Sequence, residues 1–356
     1  MRPVGSAVVL CVAWAAAVVF QPASASTGPA APPELLSQTG LYTSGSGLEI
    51  DPANRPFSPQ YPLWSDGARK SRWVRLPLGS AIDARDIDRW DFPAGTRFWK
   101  EFSFDGRKAE TRMLRKDGPA SWTFASYVWN EEQTDATLVP RDGLYDVVEI
   151  APNRRHSIPS VEDCRACHDS ARTEILGFTA LQLSTDRDPA APHAEPLAPG
   201  MITLQTLLDE RLLTPARSEM EASPPRIEAP DARTRAVLGY LSSNCGSCHN
   251  EESSLASLGL LLKARSASAA GRPEDVIRSL FRTTAKWQIP MTPEGASRFV
   301  TPGVPDLSAV LVRMRSRRPS SQMPPFGTVL HDREAIELVA NWIEDLDAAT
   351  VSVPGS

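Results

Sequence analysis

The chain has 356 residues, with 38 Lys and Arg against 43 Asp and Glu and a formal net charge of −5. Its pI is near 5.7. That length suffices for two or three domains with real cores, and an acidic chain with no basic block argues against a nucleic-acid partner.

The first 25 residues read as an export leader. Arg2 supplies positive charge, Val4 to Phe20 is an apolar run, and Ala23-Ser24-Ala25 offers small residues for cleavage before Ser26. The run is short for a membrane span, although a retained anchor is the competing reading. No later segment is long and apolar enough to cross a bilayer, so the expectation is a periplasmic protein, cleaved near Ala25, with no integral membrane segment in the mature chain. Cys11 leaves with the leader. The four remaining cysteines, Cys164, Cys167, Cys245 and Cys248, all fall in two short motifs.

Residues 40–155 read as a β-rich domain. Runs such as "RFWKEFSF", "ETRMLRK", "WTFASYVW" and "LYDVVEI" alternate apolar and polar residues, and "DGAR", "PAGT", "FDGR", "KDGP" and "RDGL" punctuate them as turns. The pattern predicts an antiparallel β-sandwich-like fold. Six of the nine Trp lie between 64 and 129. They suit sheet and core positions, or a face that binds carbohydrate or another small ligand. The region has no metal-ligand cluster, phosphate loop or Ser/His/Asp set.

Residues 156–213 carry "DCRACHD" and residues 230–349 carry "NCGSCHN". In a c-type haem site two thiols spaced by two residues add to the haem vinyl groups, and the imidazole that follows is an axial iron ligand. Cys164, Cys167 and His168 meet that demand, as do Cys245, Cys248 and His249; the cofactors expected are two covalently attached haem c groups. A thioredoxin-like redox pair has no use for the trailing His, and a four-Cys zinc site would have to close over an unusually long insertion.

The second motif is followed by "SQMPPFGT", where the prolines hold Met323 in extended backbone from which its thioether is offered as a soft sixth ligand. Arg313 and Trp287 are candidate hydrogen-bond donors to haem carboxylates. "ARTRAVLGYLSSNC" and "HDREAIELVANWIEDL" have helical apolar spacing, the latter behind a capping Asp332. No Met-Pro loop follows the first motif; His193, Met201, Met220, His156 and Met113 are its candidate sixth ligands, an open iron being equally consistent. Asp163 and Asp169 flank the motif as candidate acids or bases. A Pro-rich linker spans 214–229.

In the order "SSNCGSCHN", "VTPGVPDLSAVLVRM", "QMPPFG" and a Trp-bearing last helix, residues 230–349 resemble the mono-haem cytochrome c superfamily, which implies an all-α fold with His249 and Met323 as axial ligands. Nearly the whole mature chain is similar to a family of exported bacterial dihaem c-type cytochromes, through "YPLWSDGARKSRWVRLP", "FPAGTRFWKEFSF", "SYVWNEEQTDATLV", "IPSVEDCRACH" and "LGFTALQLS". Ser184 stands where that family usually has Asn. The fold class expected is therefore α+β multidomain: the β-sandwich-like domain, a short haem-binding segment and a C-terminal all-α cytochrome c domain. The function expected is electron transfer between redox partner proteins. The alternatives are a peroxidase- or oxidase-type enzyme with an open first iron, and a haem-linked carbohydrate-binding or sensor module.

Overall fold

Strands form where large apolar side chains alternate with polar ones. In the computed structural model, which describes residues 30–45, 47–170, 175–265 and 273–347, they are β1 (Arg55–Pro56), β2 (Arg69–Arg75), β3 (Ile82–Asp86), β4 (Arg89–Asp91), β5 (Arg97–Phe104), β6 (Arg107–Gly118), β7 (Ser121–Trp129), β8 (Ala136–Leu138), β9 (Leu144–Ala151), β10 (Arg154–Ile158) and β11 (Leu213–Thr214). One antiparallel sheet has the order β1-β2-β5-β6-β7-β8; β11-β3-β4 form a second sheet, and β9 and β10 a hairpin. The expected leader and Cys11 lie outside the described residues.

Because successive side chains alternate between faces, the register separates two environments on the main sheet. Trp73, Trp99, Met113 and Ala125 stand in one cross-strand row, and the core on that face is completed by Leu36, Leu41 and Tyr42. On the other face Val74, Phe98, Leu114 and Phe124 form a row that packs with Ile82, Trp90, Phe178, Leu183 and Ile202.

The helices are α1 (Val161–His168), α2 (Leu204–Asp209), α3 (Glu219–Ala222), α4 (Ala232–Asn244), α5 (Pro273–Arg282), α6 (Ala309–Met314) and α7 (Arg333–Glu344). Among the described residues none is long and apolar enough to cross a membrane.

This architecture overturns the expected fold class. The described chain is β-rich with short helices, and no large all-α C-terminal cytochrome c domain is evident. Helices α4 and α7 do occupy the stretches with helical apolar spacing, and the Trp342 indole donates to Thr234 Oγ1 between them at 3.2 Å. Their common core, however, closes on Tyr61, Leu181 and Ala191, all N-terminal to the expected domain. Gly239 is the point of closest approach: a Cβ there would lie 2.0 Å from the Tyr61 ring. Polar ties follow the same seam. Gln182 Nε2 donates to Ser243 Oγ at 2.7 Å, the Trp64 N–H to Asn244 Oδ1 at 2.7 Å, and the N–H of Leu330 to Asp66 Oδ1 at 2.8 Å. The described residues from Pro32 onward accordingly form one compact unit. The stretch 214–229, read as a linker, contributes buried Met220 and Ile227 to two cores.

Candidate functional site

Helix α1 starts at Ser160, whose hydroxyl accepts from the Asp163 N–H at 3.0 Å while the Asp163 carboxylate accepts from the Ser160 N–H at 3.1 Å, a reciprocal cap. Gly143 makes room for it: a Cβ there would lie 2.5 Å from the Ile158 carbonyl oxygen and 2.8 Å from Ser160 N. Cys164, Cys167 and His168 then fall on one helical face, at spacings of three and four residues. The helix lies on β7, where the His168 ring meets Phe124 edge-on at 5.3 Å, and Cys164 packs against the core of that sheet face. Asp163 is occupied by the cap and Asp169 by an ion pair with Arg165 at 3.2 Å, so both flanking acids have structural partners.

The second motif is built differently. Helix α4, capped by Asp231, ends at Asn244, and Cys245 to His249 wind through one further turn, with the His249 N–H donating to the Cys245 carbonyl at 2.9 Å. The His249 imidazole is buried, and its Nδ1 has no hydrogen-bond partner. Burial, and secondarily the Arg313 guanidinium, hold its pKa below the usual histidine value, favouring the neutral form that coordinates metals. Arg313 donates from Nε to Ser321 O at 3.0 Å and lies 5.4 Å from the centre of the Trp287 ring. Its carbonyl accepts from the Met323 N–H at 3.1 Å. Arg313, Trp287 and half-buried Met323 thus share one neighbourhood near His249.

The two motifs meet. The Cys167 and Cys248 side chains are close neighbours, and buried Asn250, directly after His249, donates to the Ser170 carbonyl at 2.9 Å. Cys164 and Cys245 pack against separate cores, and burial pushes the Cys245 thiol up to about 12. All four cysteines are free. Each is surrounded by protein yet keeps accessible surface. Among the described residues no three His, Cys, Asp or Glu side chains are arranged to hold a metal ion, so the four thiols do not converge as a zinc ribbon requires.

The donor types suit two c-type haems: each motif carries two cysteines outside any disulfide and an adjacent imidazole, and His249 Nδ1, buried, lacks a hydrogen-bond partner. The remaining candidate ligands for the first iron are otherwise placed. His156 Nε2 pairs with Glu110 at 3.0 Å. His193 faces Asp332 at 2.9 Å and Glu334 at 3.1 Å through its two ring nitrogens. Met113 lies on the sheet face opposite α1, Met220 is buried in a core, and Met201 sulfur accepts from the Ala198 N–H at 3.4 Å.

A cavity of about 310 Å³ adjoins the seam, with Phe124, Arg165, Ser170 and Glu252 in its walls. Another, of about 370 Å³, is lined by Arg55, Leu76, Leu78 and Glu210 and touches neither motif; the chemistry of the thiols makes the smaller one relevant. Trp90, Trp99, Trp122 and Trp129 are buried, so they form no exposed platform for a sugar.

Sequence reading missed Arg72, Lys100, Glu110 and Arg112, which share the sheet face of α1. Their signal was available: in "RKSRWVR", "RFWKEFSF" and "ETRMLRK" these charges share a strand phase with large apolar residues.

No protein-family model, curated protein or solved structure matches the chain. None of these comparisons identifies a cytochrome c family.

Proposed function

We propose that this chain is an exported, periplasmic dihaem c-type cytochrome that passes electrons between redox partner proteins. The observation carrying this reading is that two Cys-x-x-Cys-His sets, far apart in sequence, adjoin through Cys167 and Cys248. Haem iron, when bound, supplies a one-electron redox couple. Cys164 and Cys167 would anchor one group and Cys245 and Cys248 the other, with His168 and His249 as the iron ligands. Met323 would be a further ligand for the group at His249, where a thioether would favour the reduced state. Adjoining attachment points serve a relay, because they bring the two redox centres to one seam in a rigid frame tied by Asn250 and Ser170.

One placement favours a second reading. The five candidate sixth ligands of the first iron are engaged, buried in a core or on the far sheet face, which suits an open iron and hence a peroxidase-type enzyme or a sensor. The visible spectrum of the reduced protein, with and without carbon monoxide, decides. No shift means two six-coordinate irons and supports the relay; a shift in one haem supports catalysis or sensing; absence of covalent haem overturns both.

A further inference from the structure

On the sheet face that carries α1, Arg72 of β2, Lys100 of β5 and Arg112 of β6 stand directly opposite one another in a single cross-strand row. Lys70 projects from the same face of β2, two residues from Arg72. Like charges placed opposite each other destabilise a sheet, so the row calls for compensation. Two carboxylates supply part of it: Glu195 lies 3.1 Å from Arg72, and Glu110 lies 2.5 Å from Arg112 while also contacting His156. The Lys70 ammonium donates to the Leu63 carbonyl at 2.7 Å. Among the described residues the Lys100 ammonium makes no ion pair and no hydrogen bond; its Nζ lies 5.0 Å from the centre of the Phe102 ring.

Lys100 and Arg112 are ringed by protein, yet neither is closed off. Lys100 is only partly buried, and Arg112 keeps 27% of its side chain accessible. Both therefore keep access to solvent, close to the first motif. The Arg112 guanidinium is within electrostatic reach of the Cys164 and Cys167 thiols. Phe124, against which His168 rests, is two residues from Ser126, the β7 partner of Arg112 on the same face.

Burial and the neighbouring cations hold the Lys70 and Lys100 ammonium groups below the usual lysine range, so this row is short of counter-charge beside a site that would hold a dicarboxylate group, and an arriving anion would favour their protonation. We propose that Arg72, Lys100 and Arg112 form a carboxylate cradle beside the first motif, and that Lys100 is the member held in reserve for the bound anion. The proposal rests on the dihaem reading where the carboxylates are the propionates of the group at Cys164 and Cys167; a free small carboxylate is the other source of the same chemistry. A cation near the iron favours its reduced state, so removing one lowers that haem's potential.

The test is a redox titration of the exported holoprotein, wild type, Lys100→Gln and Lys100→Arg, with and without acetate, alongside covalent haem content. Two haems in every variant, with one potential lower in Lys100→Gln, restored in Lys100→Arg and insensitive to acetate, assigns the cradle to propionates. A potential that moves with acetate in wild type but not in Lys100→Gln assigns it to a free carboxylate. Unchanged potentials in Lys100→Gln, with no acetate response in either protein, overturn the cradle and leave the dihaem reading intact. A wild-type chain without covalent haem overturns the dihaem reading. The cradle then stands only if acetate raises the thermal midpoint of wild type and not of Lys100→Gln, and falls otherwise.

Discussion

The two Cys-x-x-Cys-His sets present the same donors in unlike surroundings. The first is a regular helix laid on a β-sheet face crowded with Arg72, Lys100, Glu110 and Arg112. The second is a turn closing a buried helix, with Arg313, Trp287 and Met323 nearby and no comparable charge cluster among its described contacts. Burial, charge and axial ligation are the protein's means of tuning a redox centre. On the dihaem proposal, identical motifs in these two settings would make two centres of different potential.

The comparison breaks most visibly when one motif is removed. Replacing Cys245 and Cys248 with Ala should reduce covalent haem from two per chain to one, measured by the pyridine haemochrome assay, and the survivor should show only the first motif's potential. Dependence of the second setting on the N-terminal half is probed by Tyr61→Ala. This empties the surface against which Gly239 packs and removes a hydrogen bond to Asp188; it should cost roughly 3–5 kcal/mol in denaturant unfolding. A self-sufficient C-terminal domain would lose far less.

The charged setting of the first motif is sharpened by Glu110. Burial opposes its ionisation, but Arg112 and His156 outweigh burial and bring its pKa from 4.5 to about 2. A carboxyl whose folded pKa is depressed stabilises the fold fully above its unfolded value, and that contribution is lost as pH falls from about 4.5 through about 2. The amount at stake is on the order of 3 kcal/mol. Glu110→Gln should be less stable at neutral pH, and its acid unfolding should lack this component. The smallest change is Met323→Ala, which should lower one potential and leave haem content at two; no change in potential or spectrum would remove Met323 as a ligand.

Local features were legible in the sequence wherever one stretch decides its own structure. "RFWKEFSF" is β5 residue for residue, Asp332 caps α7 through the Ala335 N–H, and both thiol motifs are identifiable from spacing alone. What could not be read is what buries each face. Helical period marks an apolar side on α4 and α7, but nothing in it reveals that Tyr61, Leu181 and Ala191 complete their core, so a resemblance to a self-standing all-α domain misled. The contact between Cys167 and Cys248 and the row Arg72–Lys100–Arg112 likewise arise from long-range pairing, which local periodicity does not encode.

The account's central claim is that the two adjoining motifs carry two covalent haems. Intact-mass measurement of the protein, exported from cells that have haem-attachment machinery, tests it most directly. The account predicts a chain heavier by two haems, with none of the four thiols available to alkylation. A chain without added haem, with Cys167 and Cys248 joined as a disulfide or all four thiols alkylated, would contradict it.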